Sequence, residues 1–203
     1  MKPKRFLFQR LVSEGMIQDF NPGDTQKAKK WYRTQVGKIK DISSTKLLRS
    51  PEVKANEQRR IMQPGDLFMF EYDPKLKHAL PYYDRFPVVL IIDKAPGGFL
   101  GLNFHYLPPM LRSALLDQLY EHTNNEKFDH TTRIEVSYRE LKGISTTPYY
   151  KPCMKRYLNN HVTSRYIKIH PAEWDFIVLL PLERIEKKSK RSVWTESRKQ
   201  LKR

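Results

Sequence analysis

The six histidines of this chain are His78, His105, His122, His130, His161 and His170, and Cys153 is its single cysteine. No histidine stands in an H-E-x-x-H or H-x-H pattern, and one cysteine cannot build a thiolate cluster, so no metal site is expected. Cys153 and His161 form the one tempting thiol–imidazole pair. Eight residues apart, they would share a helix face two turns apart without touching, and a cysteine beside Met154 reads as a small packed residue. Glu71 and Asp73 flank Tyr72 and would point the same way on a strand, with Asp84 and Asp93 nearby. Metal-dependent nucleases gather carboxylates and a lysine around an ion, and the P-D…(D/E)-x-K spacing for that is missing. Asp66, Asp73 and Asp93 lie instead at strand ends near Pro or Gly, where Asp forms turns. Gly97-Gly98 reads as a hairpin turn, and no G-x-x-x-x-G-K-[ST] cradle occurs. The expectation is a chain with no catalytic residues, no metal and no cofactor.

Binding chemistry is better supplied. Lys and Arg number 38 against 22 Asp and Glu, a net charge of +16. Residues 1–40 hold 10 basic and 3 acidic groups, and residues 183–203 hold 9 and 3. So 13 of the 16 excess charges sit at the two ends. Solubility needs no single sign, so the ends point to a polyanion, nucleic acid first. Between them, Tyr149–Tyr157 with Asn159, Asn160, His161, Ser164 and Arg165 mixes cations, amides and hydroxyls, the mixture that phosphate contacts use. The DNA-contact candidates are Lys151, Lys155, Arg156, Arg165, Lys187, Lys188, Lys190, Arg191, Arg198 and Lys199. Tyr82 and Tyr83, beside Arg85, are candidate surface aromatics for stacking, whereas Phe86 and Phe104 read as core.

The elements that must position these groups centre on residues 63–109. Leu67–Tyr72 reads as a strand between Pro64-Gly65-Asp66 and Asp73-Pro74. Phe86–Asp93 is a continuous β-branched run that suits burial on both faces. Paired with Phe99–Tyr106 across a short Pro-Gly-Gly connection, it predicts an antiparallel hairpin. Gly101 inside the second strand marks a bulge, a bend or a close backbone approach. Pro108-Pro109 opens a helix whose apolar stripe would be Met110, Leu111, Ala114, Leu115, Leu119 and Tyr120. Further helices are expected at Lys27–Val36, Val136–Leu141 and Pro152–His161, and strands at Arg165–Ile169 and Asp175–Pro181. Beyond Leu182, a basic amphipathic helix can form around Ile185, Val193, Trp194 and Leu201.

These elements predict an α+β fold: a small SH3-like antiparallel barrel or sheet with peripheral helices and extended basic ends. The expected division is a basic arm and linker at 1–62, a core at 63–182 and a basic tail at 183–203. A lone cysteine fits a reducing compartment, no apolar run approaches the ~18 residues a membrane helix needs, and Met1–Val12 lacks a signal-peptide core. Assembly in a cytosol and no membrane partner are therefore expected.

Two resemblances add to this. Pro64–Leu67 followed by Arg85–Leu90 resembles the opening of SH3-like toxin endoribonucleases of the MazF/PemK type, without a counterpart of their active-site set beyond Arg85. More specific are Tyr72–Lys75, Leu80–Pro87, Gly98–Pro109, Lys151–Arg165, Pro171–Trp174 and Trp194–Arg198. Together they resemble the DNA end protector family of T-even-type and marine tailed bacteriophages, over residues 64–200. That resemblance implies a non-enzymatic virion protein that binds double-stranded DNA ends. It would complete the filled head at the head–tail junction, oligomeric in the virion and in contact with head-completion, neck or tail proteins. The alternatives are a neck, tail or baseplate assembly protein without DNA contact, or a nuclease-like barrel.

Overall fold

A computed structural model describes residues 63–123, 139–169 and 173–200, with 30, 33–40, 42–43, 47 and 57–58. Its centre is an antiparallel sheet of β1 (Glu57–Gln58), β2 (Leu67–Met69), β4 (Val88–Ala95), β5 (Gly98–Asn103), β6 (Met154–Leu158) and β7 (Tyr166–Ile169), in the order β1-β7-β2-β4-β5-β6. The short strands β3 (Tyr83–Asp84) and β8 (Ile185–Glu186) pair separately. The class is α+β, as expected. Among the described residues the sheet is open: β6 pairs with β5 and β7 with β2 and β1, so no closed barrel forms.

Strand alternation sends side chains to two buried faces. Leu67, Met69, Val88, Leu90, Ile92, Ile167 and Ile169 join one core. That core is completed by α1 (Pro109–Thr123), α2 (residues 139–146), α3 (Trp174–Ile177) and α4 (Lys190–Gln200). Val36 near the start of the described chain and Val193 on α4 belong to the same core. The other face is aromatic: Phe68, Phe70, Tyr72, Phe99 and Tyr157 with Val89 and Ile91. Phe70 meets Tyr157 and Tyr166 edge to face at 5.5 and 5.3 Å, the arrangement that ring quadrupoles favour. Val88–Ile92 is thus buried on both sides of β4, as its β-branched run suggests.

The expected hairpin β4–β5 forms, but its turn is Pro96-Gly97 rather than Gly97-Gly98: Ala95 pairs with Gly98, and Gly97 takes φ +70°. A register shift between Ile91 and Asp93 lies opposite Gly101, the glycine expected to mark an irregularity. Gly98 admits the neighbouring strand: a Cβ there would stand 1.8 Å from the Tyr157 carbonyl oxygen.

Several sequence expectations change. Pro152–His161 is not a helix. Its centre is strand β6, flanked by 3-10 turns at Lys151–Cys153 and Asn159–His161. Partnership with β5 overrides the weak local preference of Met-Lys-Arg-Tyr-Leu. Asp175–Pro181 is not a strand; it falls in α3 and the turn after it, an apolar run whose period does not distinguish the two. Phe104–Tyr106 leaves the sheet as a 3-10 turn. On α1 the buried residues are Arg112, Leu115, Leu116 and Leu119, while Met110 and Ala114 face outward. The α2 helix runs through Gly143 rather than stopping before it. Most of residues 1–62 and all of 124–138 lie outside the described residues, among them half of the expected helix at Lys27–Val36, whose described residues 30 and 33–36 are helical, and the start of that at Val136–Leu141.

Candidate nucleic-acid interface

The most strongly basic described element, α4, is built to dock by one face and display the other. Ser189 starts it, its hydroxyl and carbonyl both bonded to Ser192. Val193 and Ser197, four apart, are buried, and Trp194 is half-buried beside them. The Ser197 hydroxyl shares a 2.6 Å hydrogen bond with the Tyr82 hydroxyl. Burial pushes the Tyr82 phenol up to about 12, and the bond to Ser197 only partly offsets it. Tyr82 in turn meets Tyr106 edge to face at 5.1 Å. The opposite side of α4 carries Arg191, Thr195, Arg198 and Lys199, all exposed. Positions 191, 195 and 198 are spaced i, i+4, i+7, so they form one ridge about 10 Å long at 1.5 Å per residue. Arg198 lies over the Trp194 ring at 5.9 Å, which stiffens its guanidinium.

Tyr82 is therefore not the surface aromatic expected of it; its ring and hydroxyl are used to seat α4. Tyr83 is half-buried and lines a cleft instead.

The candidate cations fall into three groups. Lys151 is exposed on the 3-10 turn against which α4 packs, and Lys188 is exposed just before the helix. Lys190 pairs with Glu183 at 3.4 Å, and Lys199 with Glu196 at 3.3 Å. A second group is engaged by the protein's own rings and carbonyls. The Lys155 ammonium lies over the Tyr82 and Tyr106 rings at 5.4 and 5.8 Å and reaches Gln200 at 3.5 Å. Burial holds its pKa below the ordinary lysine value. Lys187, in the left-handed region at φ 67°, donates to the carbonyls of Lys77, His78 and Leu80 at 2.6, 2.8 and 2.9 Å. Three carbonyls take the three N–H donors of one ammonium. The third group lies on other elements: Arg156 donates to the Pro96 carbonyl at the hairpin tip, and Arg165 is exposed ahead of β7.

The residues weighed for catalysis are arranged as fasteners. Glu71 pairs with Arg85 at 3.3 Å and Asp73 with Lys77 at 3.0 Å, on the walls of a cleft of about 510 Å³ that also takes in Tyr83, Thr163 and Glu186. Burial pushes the Cys153 thiol up to about 12, which keeps it protonated at neutral pH and a poor nucleophile. His161 Nδ1 is engaged by the Asp73 carbonyl at 2.8 Å. Among the described residues no group of three or more His, Cys, Asp or Glu is gathered for a metal ion.

Two buried polar clusters were not anticipated. Asp84 lies 2.6 Å from His105 Nδ1 and accepts from the Phe86 and Arg184 N–H groups, tying β3 and β8 to the 3-10 turn after β5. Burial alone would raise its carboxyl, but His105 and those N–H bonds hold it below the usual range. Arg112 donates to the carbonyls of Leu107, Val178 and His105, joining α1 to the segments on either side. A buried Arg on a helix with an apolar stripe was the available signal.

Residues 14–200 match the family profile described as phage T4 terminal DNA protecting protein. That match extends well into the N-terminal segment, beyond the region in which the sequence motifs were recognised. No curated protein and no solved structure matches the chain.

Proposed function

This chain belongs to the phage T4 terminal DNA protecting protein family, whose members are virion proteins that protect DNA ends in the head and are structural rather than enzymatic, and from that premise we propose that α4 supplies its phosphate-contacting face. The observation that carries this reading is the split of α4 into a seated face of Val193, Trp194 and Ser197 and a displayed ridge of Arg191, Arg198 and Lys199. A ridge held this way meets a phosphate backbone with its cations pre-placed, which limits the ordering cost of binding. Lys151 and Lys188 extend the same face. Arg156, on edge strand β6, and Arg165, just ahead of β7, are assigned to contacts separate from that of α4. Lys155, Lys187 and Lys190 are assigned to holding α4 and its lead-in segment in place.

The wider assignment is to a filled head closed at its junction with the tail. There the protein is oligomeric, assembles in the host cytoplasm and meets head-completion, neck or tail proteins. The test is protection of linear duplex from an exonuclease by the full chain and by Arg191→Gln/Arg198→Gln/Lys199→Gln. Protection is expected to fall sharply in the triple variant at moderate salt. Undiminished protection by a folded triple variant refutes the role of α4. Point substitution is the right perturbation, because truncation after residue 182 would also strip Val193 from the core.

A further inference from the structure

Ends differ from internal duplex in one chemical respect besides their terminal phosphates: the last base pair has an uncovered π face. Phosphate contacts alone do not sense that difference. Among the described residues three large apolar side chains stand mostly exposed: Leu76 at 64%, Met110 at 84% and Tyr149 at 62%. Only Tyr149 is aromatic, and only it adjoins the basic face. It lies two residues before Lys151, which places its Cα within about 7 Å of that cation's. The turn it occupies is tightly closed. The N–H groups of Tyr150 and Lys151 both donate to the Thr147 carbonyl, at 3.0 and 2.9 Å, with Tyr149 at the tip. The Thr147 hydroxyl is bonded back to Gly143 at 3.0 Å, and Tyr150 and Cys153 on the other side are buried. An exposed ring is thus carried on a rigid turn beside the segment on which α4 packs.

We propose that Tyr149 stacks on the terminal base pair of a duplex end while Lys151 and the α4 ridge hold the flanking phosphates. Stacking on this ring sets the preference for ends over internal duplex. The inference rests on the assignment of α4 as the phosphate-contacting face, and the two fail differently.

The experiment compares binding of the full chain to a closed DNA minicircle and to the same DNA linearised. A base–aromatic stack is worth roughly 5- to 150-fold in affinity. Tyr149→Ala is expected to lose that factor from the linear-to-circle ratio and to keep its affinity for the circle. Tyr149→Phe is expected to keep the ratio. A 2-aminopurine placed in the terminal pair is expected to change its fluorescence with the wild-type chain and not with Tyr149→Ala. An unchanged ratio in Tyr149→Ala, or equal binding of circle and linear DNA by the wild type, overturns the stacking while leaving the phosphate contact standing. Failure of the wild type to bind either DNA overturns both.

Discussion

Neutralising the α4 ridge should change the salt dependence of DNA binding by a predictable amount. Five exposed cations are assigned to its face: Lys151, Lys188, Arg191, Arg198 and Lys199. If each neutralises one phosphate, counterion release gives a slope of log K against log salt of about −4.5, so raising salt from about 0.05 to 0.2 M weakens binding about 500-fold. Arg191→Gln/Arg198→Gln/Lys199→Gln leaves two contacts, a slope of about −1.8 and a loss of about 12-fold over the same range. Anisotropy titrations of a labelled linear duplex across a salt series measure both slopes. Two controls separate contact from folding. The three substituted side chains are exposed, so the melting temperature should shift little. Lys187→Gln, which removes an ammonium already surrounded by carbonyls, should lower stability without changing the slope. A triple variant with the wild-type slope, or a Lys187→Gln slope reduced by about one unit, would refute the division of the lysines and arginines made above.

The remaining predictions concern the scaffold. Ser197→Ala leaves the Tyr82 hydroxyl buried without its partner and should cost about 1–3 kcal/mol in urea unfolding. In the Ser197→Ala/Tyr82→Phe cycle the second change should then cost less than it does alone, and strict additivity would argue against the bond. Gly98→Ala drives a Cβ into the Tyr157 carbonyl and should cost about 3 kcal/mol or more by prying β6 from β5. Gly143→Ala, in a helix with open space around it, should instead gain about 0.5–1 kcal/mol, and the opposite order in unfolding midpoints would contradict this packing. The Asp84 carboxyl is held below its unfolded value of about 3.9, so it stabilises the fold above that pH and loses this contribution as pH falls through its folded value. Glu183, also held low against the effect of burial by His105 and Arg112, acts in the same direction. Acidification should therefore lower the wild-type melting temperature, and Asp84→Asn should flatten part of that acid limb; identical limbs would count against the reading.

How far the sequence could be read depended on whether the deciding contacts were local. The run Val88–Ile92, the Pro96-Gly97-Gly98 connection and the proline pair before Met110 specify a hairpin and a helix start through short-range sterics, and these were legible. So was the nature of the partner, because a surplus of 16 positive charges needs no fold to state its sign. Met154–Leu158 was misread because its strand state comes from β5, more than fifty residues away in the chain. Tyr82 was misread because nothing near it in sequence announces Ser197, its partner 115 residues on.

By itself, then, the sequence determined the hairpin, the α+β class, the polyanion partner and the family motifs, all of which rest on neighbouring residues or on summed charge. Tertiary structure alone decided which cations the fold already engages. Lys187 and Lys188 are adjacent, chemically identical and both exposed, yet the Lys187 ammonium donates to three carbonyls of a distant turn. Charge is a property of the residue. Its availability to a phosphate depends on which donors and acceptors the folded chain brings within about 3 Å of it.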